Sequence, residues 1–203
     1  DLHLLSRRQR QMCIRDSSTG AGVVIAQFFG AGNTCKMKRA IHNSIALTLV
    51  MGVVLTIVGL LFNDPILKAI GVPSEVFSEA STYLSIYFWS LIFVMVYNMG
   101  SGILRSVGDS KRPLYFLIFS SVVNIILDFL FVKYFHFGVA GAGYATLIAQ
   151  AISAIMVMYV LMKTEDDYKV ILKEIGFDKE ILLKIIKIGL PTGFCLLYTS
   201  DAA

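Results

Sequence analysis

Charge is scarce in this sequence. Only 16% of its 203 residues are Asp, Glu, Lys or Arg, against 56% hydrophobic ones. Soluble domains carry about 25% charged residues. A soluble fold of this size would have too much surface for so few charges, and the mean hydropathy of +0.72 points to lipid as the solvent. Cysteine is equally sparse. Cys13, Cys35 and Cys195 are scattered and odd in number, which gives neither a disulfide framework nor a metal spacing. No nucleophile–base pair, His/Asp/Glu cluster or Walker motif appears. The net charge of +4 is mild and falls in short clusters between apolar runs, which argues against a nucleic-acid partner and for loops beside a membrane.

What is present is a series of long uncharged runs. Residues 41–62, 80–104, 113–134 and 138–162 each have about the 20 residues that cross a hydrocarbon core, and only the third contains an acid, Asp128. Residues 18–30 are apolar and small but too short to span. Gly22, Ala26 and Gly30 fall at i, i+4 and i+8 there, a candidate close-packing stripe. Residues 63–79 read as a polar connection broken by Pro65, Gly71 and Pro73. Tyr83, Tyr87 and Trp89 sit where an interfacial aromatic belt would lie, and Pro113 suits the first turn of a helix. Residues 163–187 mix charges with an apolar stripe of Ile171, Leu172, Ile175, Ile181, Leu182, Ile185 and Ile186, which predicts an amphipathic linker at the membrane surface. A further helix begins at 188–194.

Both ends differ in character. Residues 1–17 are polar with no apolar core of a signal peptide, and 195–203 interrupt a helix that has just begun. Both strings resemble translated sequencing adapters, so the expected natural segment is 18–194. The alternative for the first string is a genuine basic arm.

Loop charges set the topology. Lys36, Lys38 and Arg39, then Arg105, Lys111 and Arg112, then six lysines of the linker lie on one side. Only Lys68 and Lys133 lie on the other. The basic side is the expected cytoplasmic one.

Asp128 is the most informative residue. A carboxylate inside a span costs about 2.5–3.5 kcal/mol on insertion scales and so faces the protein interior or water. Asn124 lies one turn earlier on the same face. The pair supplies oxygens suited to Na⁺, or a proton relay through the acid. The plainer reading is an Asp near the outer helix end, solvated by headgroups or paired with Lys133. A rise of about 1.5 Å per residue places Asp128 about 9 Å, Asn124 about 15 Å and Thr146 about 12 Å below the outer helix ends. The Thr146 hydroxyl could join the pair, or simply bond its own i−4 carbonyl. Asn98 lies about 27 Å from the outer end by the same count, where packing or a helix–helix hydrogen bond suits it better than a place in a substrate cavity. His42 and Asn43 adjoin a basic turn, so solvation at the interface explains them. The run GVAGAG (138–143) lacks the strand a nucleotide loop needs and fits a helix–helix contact.

The stretches TGAGVVIAQFFGAGN, NMGSGILRSVGDSKRP, NIILDFLFV, FGVAGAGYATLIAQ and KIGLP, in that order and spacing, resemble the MATE (multidrug and toxic compound extrusion) family. The resemblance implies an all-α membrane protein, a transmembrane helix bundle forming part of a two-lobe, six-plus-six exporter. Residues 18–162 would run from the end of helix 2 to helix 6, 163–187 would be the cytoplasmic linker, and 188–194 would start helix 7. Family members export cationic, often aromatic, small molecules in exchange for Na⁺ or H⁺. Asn124 and Asp128 match the family's cation-site pair on helix 5, and Thr146 matches its helix 6 position. The helix 1 acid has no counterpart here. The expectation is therefore that the intact protein is a monomeric, multi-pass transporter of the plasma or inner membrane, and that this chain alone does not transport. A lipid-linked oligosaccharide flippase of the same superfamily is the competing reading, disfavoured by spans whose only charge is Asp128. A membrane enzyme would want clustered acids or histidines at one face, and a passive scaffold leaves Asn124 and Asp128 unexplained.

Overall fold

The computed structural model describes residues 19–171 together with 175, 176, 178–183, 185 and 187. Among these residues the helices up to 163 are, in order, α1 Thr19–Gly30, α2 Thr34–Leu61, α3 Asn63–Ile70, α4 Phe77–Ser106, α5 Lys111–Phe129 and α6 Gly138–Lys163, and the described residues from 179 to 187 are helical as well. A π-helical turn, Leu130–Tyr134, prolongs α5. The chain is an all-α membrane protein. Four helical segments, Thr34–Leu61, Phe77–Ser106, Lys111–Tyr134 and Gly138–Lys163, are long and apolar enough to cross a bilayer. They match the four expected runs. The expected non-native stretches, the start of the last helix, and Leu172 and Ile186 lie outside the described residues.

The helix α2 begins well before the uncharged run. The Asn33 carboxamide accepts the Lys36 N–H at 3.1 Å and caps the first turn. The basic stretch 34–40 is thus helix and not a loop, its long charged stems projecting from a turn whose Met37 and Ala40 are buried. The connection 63–79 also hides a helix. Pro65 falls in the first turn of α3, where its missing N–H costs nothing, and Gly71 ends it in the left-handed region at φ 77°. The Asn63 amide donates to Ser81 O, Ser81 Oγ and Ser85 Oγ at 2.9, 3.0 and 2.7 Å, which fastens α3 to the start of α4.

The helix α4 is the hub. It packs against α1, α2, α3 and, most extensively, α6; α5 then packs on α6. Small residues permit the approach. A Cβ on Gly59 would sit 2.3 Å from the Phe88 ring, and one on Gly100 2.9 Å from Val157. Gly141 and Gly143 abut Phe131 and Ile86, so the 138–143 run is the helix contact expected of it. In α1 the expected stripe holds only at Gly22. Ala26 and Gly30 are exposed, and the buried face is Ala21, Gly22, Val24 and Ile25. The helix meets α2 and α4 on a face rotated from that stripe. Tyr83, Tyr87 and Trp89 are exposed, as a belt requires.

The apolar core gathers at one end, around Ile41, Ile103, Leu104, Val157 and Leu161. The segment after α6 folds back onto this end: the Val170 N–H donates to Leu161 O at 2.9 Å, and Val170, Ile181 and Ile185 are buried. The amphipathic stripe is partly corrected. Ile171 is exposed, because 164–171 is a string of turns and not a helix. Hydrogen bonds with Tyr168 and Thr164 hold the Asp166 carboxyl in these turns below the usual carboxylate range.

Candidate functional site

The third spanning helix carries the acid. Asn124 and Asp128 stand one turn apart on α5, both half-buried. Asp128 Oδ1 and Asn124 Nδ2 are each shielded from solvent and have no hydrogen-bond partner among the described residues. An unmet carboxylate oxygen inside an apolar span is costly and calls for a cation or a proton. The Asn124 amide can rotate to present Oδ1 where Nδ2 stands, so the pair can offer two oxygens to one ion.

The alternative partner of the acid is engaged elsewhere. Lys133 Nζ lies 4.6 Å from the centroid of the Phe129 ring. Among the described residues no ion pair joins it to Asp128; those formed are Lys38–Asp167, Arg39–Asp178 and Asp109–Arg112.

Just past Asp128 the helix widens into the π turn. Phe135 N–H donates to Leu130 O at 3.1 Å, a five-residue step. Such turns recur at functional sites because they break the regular ladder. The link to α6 is then held by rings: Phe131–Phe135, Phe135–Phe137 and Phe131–Phe137 centroids lie 6.0, 5.7 and 6.1 Å apart. They accommodate His136 in the left-handed region at φ 54°. The sequence read as plain helix to Tyr134, and only the density of phenylalanines hinted otherwise.

Thr146, half-buried on α6, donates its hydroxyl to Ala142 O at 3.0 Å. This is the ordinary back-bond to the preceding turn. It leaves the oxygen lone pairs free, so it is compatible with ligation as well. Asn98 is exposed on α4 and forms no hydrogen bond among the described residues, so of the two roles expected of it the helix–helix bond is not made among them. No group of three or more His, Cys, Asp or Glu able to hold a metal occurs among the described residues.

A separate open cavity of about 500 Å³ lies between α4 and α6, lined by Ser81, Thr82, Ser85, Ile86, Trp89, Tyr144 and Leu147. It includes none of the four residues singled out from the sequence. Three hydroxyls beside two large rings were not conspicuous there, because they come from turns of two helices about 60 residues apart.

A family model, MatE, matches residues 16–130, more than half of the chain and including both Asn124 and Asp128. The chain belongs to the MatE family. Similar MatE relatives include "Probable multidrug resistance protein YoeA" of Bacillus subtilis, 31% identical over 189 residues that make up 90% of this chain and 41% of that protein. "Multidrug export protein MepA" of Staphylococcus aureus is 31% identical over 172 residues, 85% of this chain and 38% of that one. A crystal structure of MATE in the bent conformation superposes with a TM-score of 0.85 at 30% identity, over 92% of this chain and 42% of that one. The chain thus spans about two fifths of the length of the MatE relatives it matches.

Proposed function

We propose that the protein containing this chain is a cation-coupled multidrug antiporter, which exports cationic, aromatic small molecules across the plasma or inner membrane in exchange for Na⁺ or H⁺. Residues 18–162 form most of its first lobe, 163–187 the cytoplasmic connection to a second, and the basic loops face the cytoplasm. The whole protein works as a monomer. The observation that carries the reading is Asp128: a shielded carboxylate oxygen without a partner, beside an unpartnered Asn124 amide, while Lys133 is occupied by Phe129. Thr146 adds a third oxygen. The names of the relatives, one a probable multidrug resistance protein and the other a multidrug export protein, support the same reading.

Binding a cation at Asp128 neutralises a buried charge, and releasing it restores that charge. The two states differ in electrostatic free energy, and a lobe with two conformations is biased between them by that difference. For the transported compound, Trp89 and Tyr144 beside the hydroxyls of Ser81, Thr82 and Ser85 offer a face suited to a flat cation. The flippase reading has no specific observation in its favour, since Asp128 is the only charge well inside the spans.

The test is Asp128→Asn in the full-length protein in proteoliposomes. Efflux driven by a Na⁺ or H⁺ gradient should disappear while expression and melting behaviour stay near those of the parent. An Asp128→Asn protein that transports at the parental rate, with the same cation dependence, would make the acid structural and defeat the proposal.

A further inference from the structure

The first turns of α2 hold the segment after α6 by its backbone. His42 is 3% exposed. Its Nε2 lies 2.9 Å from the Ile171 backbone nitrogen, and its Nδ1 lies 2.7 Å from the Lys38 carbonyl oxygen. A backbone N–H can only donate, so Nε2 is the bare, accepting nitrogen. Nδ1 therefore carries the proton and donates it to Lys38 O, one turn back on α2. Both nitrogens of a neutral ring are used. The adjacent Asn43, fully buried, donates Nδ2 to Asp178 O at 3.1 Å. Two ion pairs flank these bonds, Lys38–Asp167 at 3.6 Å and Arg39–Asp178 at 3.8 Å. Exposed pairs of this kind contribute little. The buried bonds of His42 and Asn43 are the specific part of the contact.

We propose that His42 is a proton-operated latch: neutral, it holds the segment after α6 against the end of α2; protonated, it lets that segment go. A proton added to Nε2 points an N–H at the N–H of Ile171. Two donors then face each other, the bond is lost, and an imidazolium is left buried without an acceptor on that side. Among the described residues the surrounding charges do not relieve it. On α2 itself, Lys38 and Arg39 are cationic. Among the described residues of the segment, Asp167 and Asp178 are taken by those two residues, Asp166 is engaged by Thr164 and Tyr168, Glu165 and Glu180 are exposed to solvent, and Lys169 and Lys179 are again cationic. The last turns of α4 and α6 bring only Arg105 and Lys163, and α1 has no titratable residue. Protonation of the ring is thus the event that opens the latch. That release would loosen the tie between two lobes rests on the reading of 163–187 as their connection; the latch itself does not.

Hydrogen exchange on the full-length protein in lipid nanodiscs tests it, read on the peptide spanning 168–176 and corrected for the intrinsic pH dependence of exchange. Protection should fall about tenfold between about pH 8 and about pH 5. His42→Gln offers a neutral acceptor that does not titrate, so its protection should be the same at both pH values. His42→Ala should be unprotected at both. A peptide around Ile103 in α4 reports folding; if the alanine variant loses protection there too, the comparison of parent with His42→Gln decides. Parental protection equal at both pH values, or an equal fall in His42→Gln, would overturn the latch. Transport is not measured, so failure here leaves the role of Asp128 untouched.

Discussion

Lys133 rests on Phe129 and not against Asp128. Its ammonium stands 4.6 Å from the ring centroid, although the carboxylate is only one residue further back along the helix. Phe129 stands four residues before Lys133, the spacing that brings two side chains onto one helix face, whereas Asp128 stands five before it. An aromatic face thus occupies the nearest basic group and leaves the acid available.

That relationship makes a first prediction. If Lys133 neutralised Asp128, its removal would strand a buried charge and disturb coupling. If it serves Phe129, Lys133→Met should leave the apparent cation affinity of efflux within about twofold of the parent. Asn124→Ala should weaken that affinity by about tenfold, the scale of one lost polar contact of about 1.4 kcal/mol, and Thr146→Ala by less. Cation titrations of proteoliposome efflux measure all three. A collapse of coupling in Lys133→Met would return the lysine to the site.

The sequence made the spans and the acid legible because both depend on local signals: run length, loop charge and a carboxylate in an apolar setting. Helical arithmetic puts Asn124 and Asp128 on one face of α5, and the estimate of depth adds Thr146 as an expectation. What could not be read depends on distant chain. His42 and Asn43 look solvated beside Lys38 and Arg39, yet partners 129 and 135 residues away cover them. The stripe of Gly22, Ala26 and Gly30 has the right spacing, but which face of α1 is buried depends on where α2 and α4 stand. The helix α3 was hidden because Pro65 reads as a breaker in general and as a helix starter only when its position in the first turn is known.

A second prediction concerns packing. A Cβ on Gly59 would lie 2.3 Å from the Phe88 ring, far inside contact distance. Gly59→Ala must displace either the ring or the helix, and overpacking of this kind costs about 1–3 kcal/mol. The melting temperature in detergent should drop. Phe88→Leu removes the obstructing ring and should restore part of the loss in the double variant, a coupling that independent sites would not show. Simple additivity of the two losses would mean that the helices do not meet here.

The topology gives the last prediction. Three of the four spans join through short turns, and the ends that carry Arg39, Arg105 and Lys163 lie on the side where the core around Ile41, Leu104 and Leu161 gathers. Ser110, in the exposed turn between α4 and α5, belongs to this basic end. Ser74, in the exposed turn between α3 and α4, belongs to the opposite one. Lysine and arginine are retained on the cytoplasmic side during insertion. A membrane-impermeant thiol reagent applied to intact cells should therefore label a cysteine at Ser74 and spare one at Ser110, and permeabilisation should expose the second. Cys35, exposed near the start of α2, must first be replaced by serine, since it lies on the basic side and would add to the second signal. Labelling at Ser110 from outside would invert the bundle. The segment after α6, held by His42 and Asn43, would then face away from the cytoplasm, and the latch would answer to external acidity instead.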